Sequence, residues 1–296
     1  MRLTGDCIHC IIDHHWALVR DCPDGGRKEA FMREALRVLS ESDPELPPPV
    51  PTARLQEVYL RMFPEENRFE RLKRAYNELL LGHLPELRER AFRADDPLKL
   101  AVWMAMAGNY IDFGILREVD DDKLMETILT PDEDALNPAE LRRLRDDLAR
   151  AKRLTYCLDN CGEIVLDRLL MEVIHATYPQ IEIAALARGL PVLNDATRDD
   201  ARSVGIGEIA RVVGNGSNIC GTQLEFLSDE ALAAVRGADV VIAKGQGNFE
   251  TLSGTGLNTY YLFLCKCRLY TPLFGMEHMR GQLINERRFA VDNAPL

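Results

Sequence analysis

Along the first half of the chain the apolar residues recur at helical spacing; along the second half they gather in short unbroken runs of the kind that make buried strands. Phe31, Ala35, Leu36 and Leu39 share one side of a helix over Arg27–Ser42, which the proline-rich connector DPELPPPVP ends. Leu55, Val58, Tyr59 and Met62 mark a second helix. A third, over Phe69–Arg93, carries Leu72, Tyr76, Leu79, Leu80 and Leu84, with Gly82 or Pro85 as its kink. Leu98–Ala107 is apolar almost all round and so predicts a buried helix. Asn137, with Pro138 behind it and Glu140 three positions on, opens a charged helix through Arg150 whose one narrow apolar stripe is Leu141, Leu144 and Leu148.

From Lys152 onward the pattern alternates. Strands are predicted at Thr155–Leu158, Glu182–Ala185, Pro191–Leu193, Ala210–Val213, Asp239–Ala243 and Tyr260–Cys265. Helices fall between them at Glu163–Ala176, from Asp199 under a Thr197 cap, and at Asp229–Val235 under a Ser228 cap. This order predicts an α/β fold with a Rossmann-like, largely parallel sheet wrapped by helices over residues 151–296, behind an all-helical domain over residues 1–150. The carboxyl ends of such strands gather along one edge, where ligands bind.

Those ends carry the polar residues. LTYCLDNCGEIVLDRLL delivers Asp159 and Asn160, and PVLNDAT delivers Asn194 and Asp195. A turn followed by a helix cap would also account for Asp159 and Asn160, without chemistry. The glycine loops at Gly214 and Gly216 and at Gly245 and Gly247 lack the third glycine of a dinucleotide fingerprint. They do offer bare backbone N–H groups, beside Lys244, Asn248 and the Ser217 hydroxyl, which suits a phosphate or carboxylate. In the helical half, Asn109 and Asp112 lie three apart at the end of the buried helix and face the same way on a turn. A C-cap explains Gly108 and Asn109; it does not explain Asp112 among aromatics. Asp159, Asn160 and Asp195 are hard oxygen ligands that suit magnesium or manganese better than zinc. With Lys244 as the cation, they point to metal-assisted phosphoryl transfer by a metal-activated water.

Composition narrows the classes. A formal net charge of -11 with no block of Lys and Arg excludes a nucleic-acid partner bound through phosphate neutralisation and disfavours an anionic membrane. The N-terminus, broken by Asp13, His14 and His15, is not a secretory signal, and no apolar stretch reaches bilayer length. The eight cysteines lack the spacing of a stapled secreted fold, so a reducing, cytoplasmic compartment is expected. Cys7 and Cys10 form a C-x-x-C with His9, His14, His15 and Cys22 nearby. Three readings stand for it: a second metal site, a redox pair, or ordinary thiols at a helix start.

The stretches LDNCGEIVLDRL, PVLNDAT, ADVVIAKGQGNFETL and AGNYIDFG, with the N-terminal C-x-x-C, resemble the domain of unknown function 89 family, described as metal-dependent damage-control phosphatases, and in particular its prokaryotic branch. The resemblance runs over nearly the whole chain. It implies that Asp159, Asn160 and Asp195 bind manganese, cobalt, nickel or magnesium. It further implies that Lys244 and the Gly245–Asn248 loop contact the phosphate and that Asn109 and Asp112 reach into the site. The expected substrates are phosphomonoesters of small or damaged metabolites, such as sugar phosphates or phosphopantetheine derivatives. Glu163, Asp167 and Ser217 lie in matching motifs with no role assigned, and the oligomeric state is open. An aspartyl nucleophile is disfavoured because Cys161 stands where that mechanism places a second Asp. The competing functions are an S-adenosylmethionine-dependent carboxyl methyltransferase and a non-enzymatic metal- or metabolite-binding protein; methyl transfer needs neither Lys244 nor three metal ligands.

Overall fold

A computed structural model describes residues 1–64, 68–111, 120–132, 136–275 and 278–288. Helices α1 (Gly5–Val19), α2 (Gly25–Ser40) and α3 (Pro49–Met62) come first, followed by α4 (Arg68–Arg93), α5 (Pro97–Gly108), α6 (Asp121–Leu129) and α7 (Pro138–Arg150). The proline-rich connector does more than end a helix. Pro49 and Pro51 sit in the first turn of α3, where their missing N–H groups would have no intrahelical partner anyway. Pro85 lies inside α4. Asn137 caps α7 by accepting from the Ala139 and Glu140 N–H groups, but Glu140 does not complete the box. Its carboxylate turns instead to the Asn285 N–H at 3.1 Å and to Arg143 at 3.0 Å.

The second half alternates β1 (Arg153–Cys157), α8 (Glu163–Thr177), β2 (Glu182–Ala187), α9 (Arg198–Ser203), β3 (Arg211–Gly214), α10 (Asp229–Arg236), β4 (Val240–Lys244), α11 (Gly245–Leu252), β5 (Thr259–Leu264), α12 (Tyr270–Phe274) and β6 (Gly281–Asn285). The sheet order is β3-β2-β1-β4-β5-β6, parallel throughout except for β6, which pairs antiparallel with β5. This is the Rossmann-like, mostly parallel sheet that the alternation predicts. Its strand order reverses between β1 and β4, the switch point at which α/β sheets open a crevice.

Two predicted details are corrected. Pro191–Leu193 is not a strand: it is a loop ending in a turn in which Leu193 takes φ 42°. The span is too short to add a ladder and begins with Pro191, which has no N–H to donate. Gly245–Asn248 is not a loop either, because these residues form the first turn of α11. β6, α6 and α12 have no counterpart in the sequence reading.

Side chains alternate along each strand between two cores. Leu154, Tyr156, Ile183, Ala185, Val240, Ile242 and Leu262 face a core shared with α4, α5, α7 and α8. Cys157, Leu186, Val213, Val241, Ala243 and Phe263 face the other, closed by α10 and α11. The first core explains why α5 is apolar all round, since α5 packs against α8 on one side and α4, α6 and the sheet on others. Gly108 lets the end of α5 reach α8 closely; a Cβ there would stand 2.7 Å from Leu166 and 3.1 Å from the Glu163 Cβ. Asn109 is thereby carried to the edge where β1 and β4 end.

Candidate functional site

At the end of β1 the chain turns sharply into α8. Gly162 makes the turn at φ 88°, and a Cβ there would meet Ile111 at 2.8 Å and Tyr76 at 2.9 Å. Its N–H donates to Asn77 Oδ1 of α4 at 2.6 Å. Glu163 then reaches back to the Asn160 N–H at 2.8 Å, in the manner of a capping-box carboxylate. The loop after β2 folds onto this turn: the Cys161 N–H donates to the Asn194 carbonyl at 2.8 Å and the Ala196 N–H to the Asp159 carbonyl at 2.7 Å, and Asn160 bridges Asp195 through the backbone. Asp159 and Asn160 from the end of β1 and Asp195 from the loop after β2 are thus brought together, all of them buried. The left-handed Leu193 directly precedes Asn194 and Asp195; an ordinary residue in that conformation costs about 1–2 kcal/mol.

The hydrogen bonds fix how each group is presented. Asn160 Nδ2 donates to Asp159 Oδ2 at 2.9 Å and to Glu163 Oε1 at 3.0 Å. Its amide orientation is therefore set, with Oδ1 as the atom on offer. Asn109 is saturated in the same way. Its Nδ2 bridges Asp159 Oδ2 at 3.1 Å and Glu163 at 3.1 and 3.2 Å, and its Oδ1 accepts from the Leu264 N–H at 3.1 Å. With no exposed surface, Asn109 acts on the site through Asp159 and Glu163. Asp112 lies outside the described residues.

Lys244 joins the set from β4, with its ammonium turned away from solvent. Nζ donates to Glu163 Oε2 at 2.8 Å and to Asp167 Oδ1 at 2.7 Å, and all three side chains are fully buried. Burial opposes the charge on Lys244, but Asp167 and then Glu163 outweigh it and hold its pKa above the usual lysine range. Burial also pushes the Asp167 carboxyl up to about 7, with Glu163 adding to the rise and Lys244 opposing it. Tyr156 donates its hydroxyl to the same Asp167 oxygen at 2.8 Å. The conformation of Gly245 follows from the neighbouring carboxylate. At φ 76° its missing Cβ would lie 1.9 Å from Asp159 Oδ2, so only glycine lets that carboxylate rest against the first residue of α11.

The remaining expected site residues are held in the surrounding turns. Asn248 ties β1 to β4 by donating to the Leu158 carbonyl at 3.0 Å and the Lys244 carbonyl at 2.6 Å, and it accepts from Thr222 at 2.7 Å. Gly247 packs on the Cys220 carbonyl, which a Cβ would approach to 2.1 Å. The Ser217 hydroxyl accepts from the Ile219 N–H at 3.4 Å, in the loop that supports Gly189 and Leu190. Cys7 and Cys10 lie on α1, and the Cys7 thiol accepts from Thr4 at 3.1 Å. His15 turns into the α1–α3 core against Phe31. Among the described residues no three His, Cys, Asp or Glu side chains gather as a metal group, at the C-x-x-C or elsewhere.

One participant had no motif to announce it. Arg188, just past β2, is fully buried, with Nε donating to Asp195 Oδ2 at 2.7 Å and Nη2 to Asp159 Oδ1 at 3.3 Å. Burial works against its charge, but Asp195 and Asp159 outweigh it and hold the pKa above the arginine range. The oxygen set fits a hard divalent cation. It offers two carboxylates and an amide oxygen whose orientation is fixed, and an arginine already lies between the carboxylates, so a positive charge is accommodated there.

Comparison with known proteins places this site in context. The sequence model of the damage-control phosphatase ARMT1-like domain matches residues 3–280. An uncharacterized protein of Methanocaldococcus jannaschii is 32% identical over 288 residues, covering 94% of this chain and 93% of that one. A damage-control phosphatase of Archaeoglobus fulgidus is 29% identical over 274 residues, covering 90% and 93%. One of Pyrococcus horikoshii is 33% identical over 192 residues, covering 64% and 65%. The crystal structure of a DUF89 family protein from Pyrococcus horikoshii superposes with a TM-score of 0.80 at 24% identity, over 97% of this chain and 99% of that one, and so shares its fold.

Proposed function

Because the chain belongs to the damage-control phosphatase ARMT1-like domain family, we propose that it is a divalent-metal-dependent phosphatase that hydrolyses phosphomonoesters of small metabolites. The observation that carries this reading is the convergence of Asp159, Asn160 and Asp195 at the β1/β4 switch point, with the Asn160 Nδ2 held by Asp159 and Glu163. These three would hold the cation. A cation bound there supplies Lewis acidity toward a phosphoryl oxygen and a nucleophilic water at neutral pH.

The surrounding residues keep that set in place. Glu163 and Asn109 orient Asp159 and Asn160, and every Glu163 partner named above is a donor, as a carboxylate requires. In this reading Lys244 does not touch the phosphate. It balances Glu163 and Asp167 and so keeps the orienting carboxylate in its pocket. α11 adds the positive end of its dipole beside Asp159, a contribution typically of about 0.3–1 kcal/mol.

Phosphate release from a panel of sugar phosphates and phosphopantetheine derivatives, with manganese, cobalt, nickel or magnesium added, tests this. Metal-dependent release that chelator removes, and that Asp159→Ala abolishes while thermal unfolding stays cooperative, is the expected result. Turnover in chelator, or full turnover by Asp159→Ala, would refute it.

A further inference from the structure

Four buried carboxyl groups, Asp159, Glu163, Asp167 and Asp195, meet two buried cations, Lys244 and Arg188. Lys244 pairs with Glu163 and Asp167, so Arg188 is left with Asp159 and Asp195, the two carboxylates of the oxygen set. Arg188 Nη1 is buried without a hydrogen-bond partner among the described residues. A guanidinium carries its donors in a rigid plane, and a buried charged donor left unpaired is costly. Here two of its nitrogens are used and the third is held in reserve beside the proposed metal ligands.

The backbone that carries the guanidinium is held on both sides. The Arg188 N–H donates to the Ala196 carbonyl at 2.9 Å, and the Gly189 N–H donates to Asn215 Oδ1 at 2.7 Å. A Cβ on Gly189 would stand 2.5 Å from the Gly216 backbone, so the following residue is clamped as well. A dication taken up by Asp159 and Asp195 would weaken the hold of those carboxylates on the guanidinium without displacing the arginine. The chemical class that then suits the unpaired donor is a phosphoryl group, whose oxygens match the planar fork of arginine.

Building on the phosphatase reading, we infer that Arg188 has two roles: it is the resident counter-ion of Asp159 and Asp195 in the metal-free protein, and it donates through Nη1 to the substrate phosphoryl group in the metal-loaded one. The phosphate contact that the sequence suggested for Lys244 passes to Arg188.

Calorimetric titration of the purified full chain with Mn²⁺ alone, then with inorganic phosphate at saturating Mn²⁺, tests both roles on Arg188→Gln and Arg188→Lys. Metal-free Arg188→Gln should unfold at a lower temperature than the native chain, recover more on Mn²⁺ addition, and bind Mn²⁺ at least as tightly. Phosphate should bind both variants at least about tenfold more weakly, the loss expected for one charged hydrogen bond. Arg188→Lys keeps the charge but not the fork, so it carries the phosphate test if the Gln variant does not fold. Unchanged phosphate affinity in the variants overturns the phosphoryl contact, and about tenfold weaker Mn²⁺ binding by Arg188→Gln overturns the counter-ion role. A native chain that binds none of Mn²⁺, Co²⁺, Ni²⁺ and Mg²⁺ overturns the phosphatase reading itself, which is a different result from native binding that the variants share.

Discussion

Gly245→Ala adds one carbon atom at the place where the site is tightest. The new Cβ would lie 1.9 Å from Asp159 Oδ2, 2.4 Å from its Cγ and 3.0 Å from Oδ1. The carboxylate must therefore retreat by about 1 Å or more, since non-bonded carbon and oxygen do not approach below about 3 Å. Retreat strains its hydrogen bonds from Asn109, Asn160 and Arg188 together. A misplacement of that size at a catalytic group costs on the order of 10²-fold in rate. The substitution also forces an alanine to φ 76°, a backbone penalty of about 1–2 kcal/mol. Gly254→Ala isolates the second effect, because Gly254 sits at φ 87° with nothing within 4 Å of its missing Cβ. The pair is assayed by chemical unfolding, Mn²⁺ binding and phosphate release. Both variants should lose similar stability from backbone strain, and Gly245→Ala alone should lose metal affinity and turnover. Full turnover in Gly245→Ala would mean that the Asp159 carboxylate is not held against α11 in the working protein, and a comparable activity loss in Gly254→Ala would mean that strain, not displacement, is responsible.

Two further predictions concern buried charge. Lys244→Met leaves Glu163 and Asp167 buried side by side and should destabilise the fold by about 3–5 kcal/mol near pH 8. A carboxyl whose folded pKa is raised, as that of Asp167 already is to about 7, contributes stability that is lost as pH rises through the folded value, and removing the lysine raises it further. The deficit measured by urea unfolding should thus be small at pH 5 and grow toward pH 8; a deficit independent of pH would contradict the pairing. His15, pushed down to about 4 by burial and by His14, contributes stability that is full above its unfolded pKa near 6.5 and lost as pH falls toward 4, about 3 kcal/mol at most. His15→Phe should flatten the fall in stability between pH 6.5 and 4, and an unchanged slope would show that His15 does not set it.

The pattern along the chain was enough for the sheet and most of its helices, because period and capping are local properties. Thr197, Ser228 and Asn137 cap the helices they were expected to cap. The misses have local causes too. Gly245–Asn248 looks like a loop because two glycines weaken helix propensity, yet the sharp exit from β4 next to Asp159 demands glycine there and the helix starts at once. β6 is a short edge strand after a stretch with no clean alternation, and its partner β5 is fully buried, so the signal lies in β5 and not in β6. Asp159 and Asn160 were legible from the end of β1, whereas Asp195 was expected from a strand at Pro191–Leu193 and reaches them instead from the loop after β2. Glu163 was legible in principle, since it stands three residues after Asn160 at the spacing of a capping box.

Arg188 could not be read this way, since what defines it is partners far off in sequence. Arg188 follows an apolar strand and precedes Gly189 and Pro191, so locally it is the first residue of a turn. Its meaning comes from Asp159, twenty-nine residues away, and from the loop that returns Asp195 to it. Such an arrangement is poorly explained by stability. Buried ion pairs are often matched or bettered by apolar side chains of similar volume, and this one leaves a guanidinium nitrogen and both amide atoms of Asn194 without partners among the described residues. Lys244 with Glu163 and Asp167 raises the same question one layer deeper. The two clusters meet at Asp159 and Asn160, through Arg188 on one side and Glu163 on the other. A core that accepts the desolvation of six charged groups, Asp159 among them, is fixing the orientation of Asp159 and Asn160 at the β1/β4 switch point.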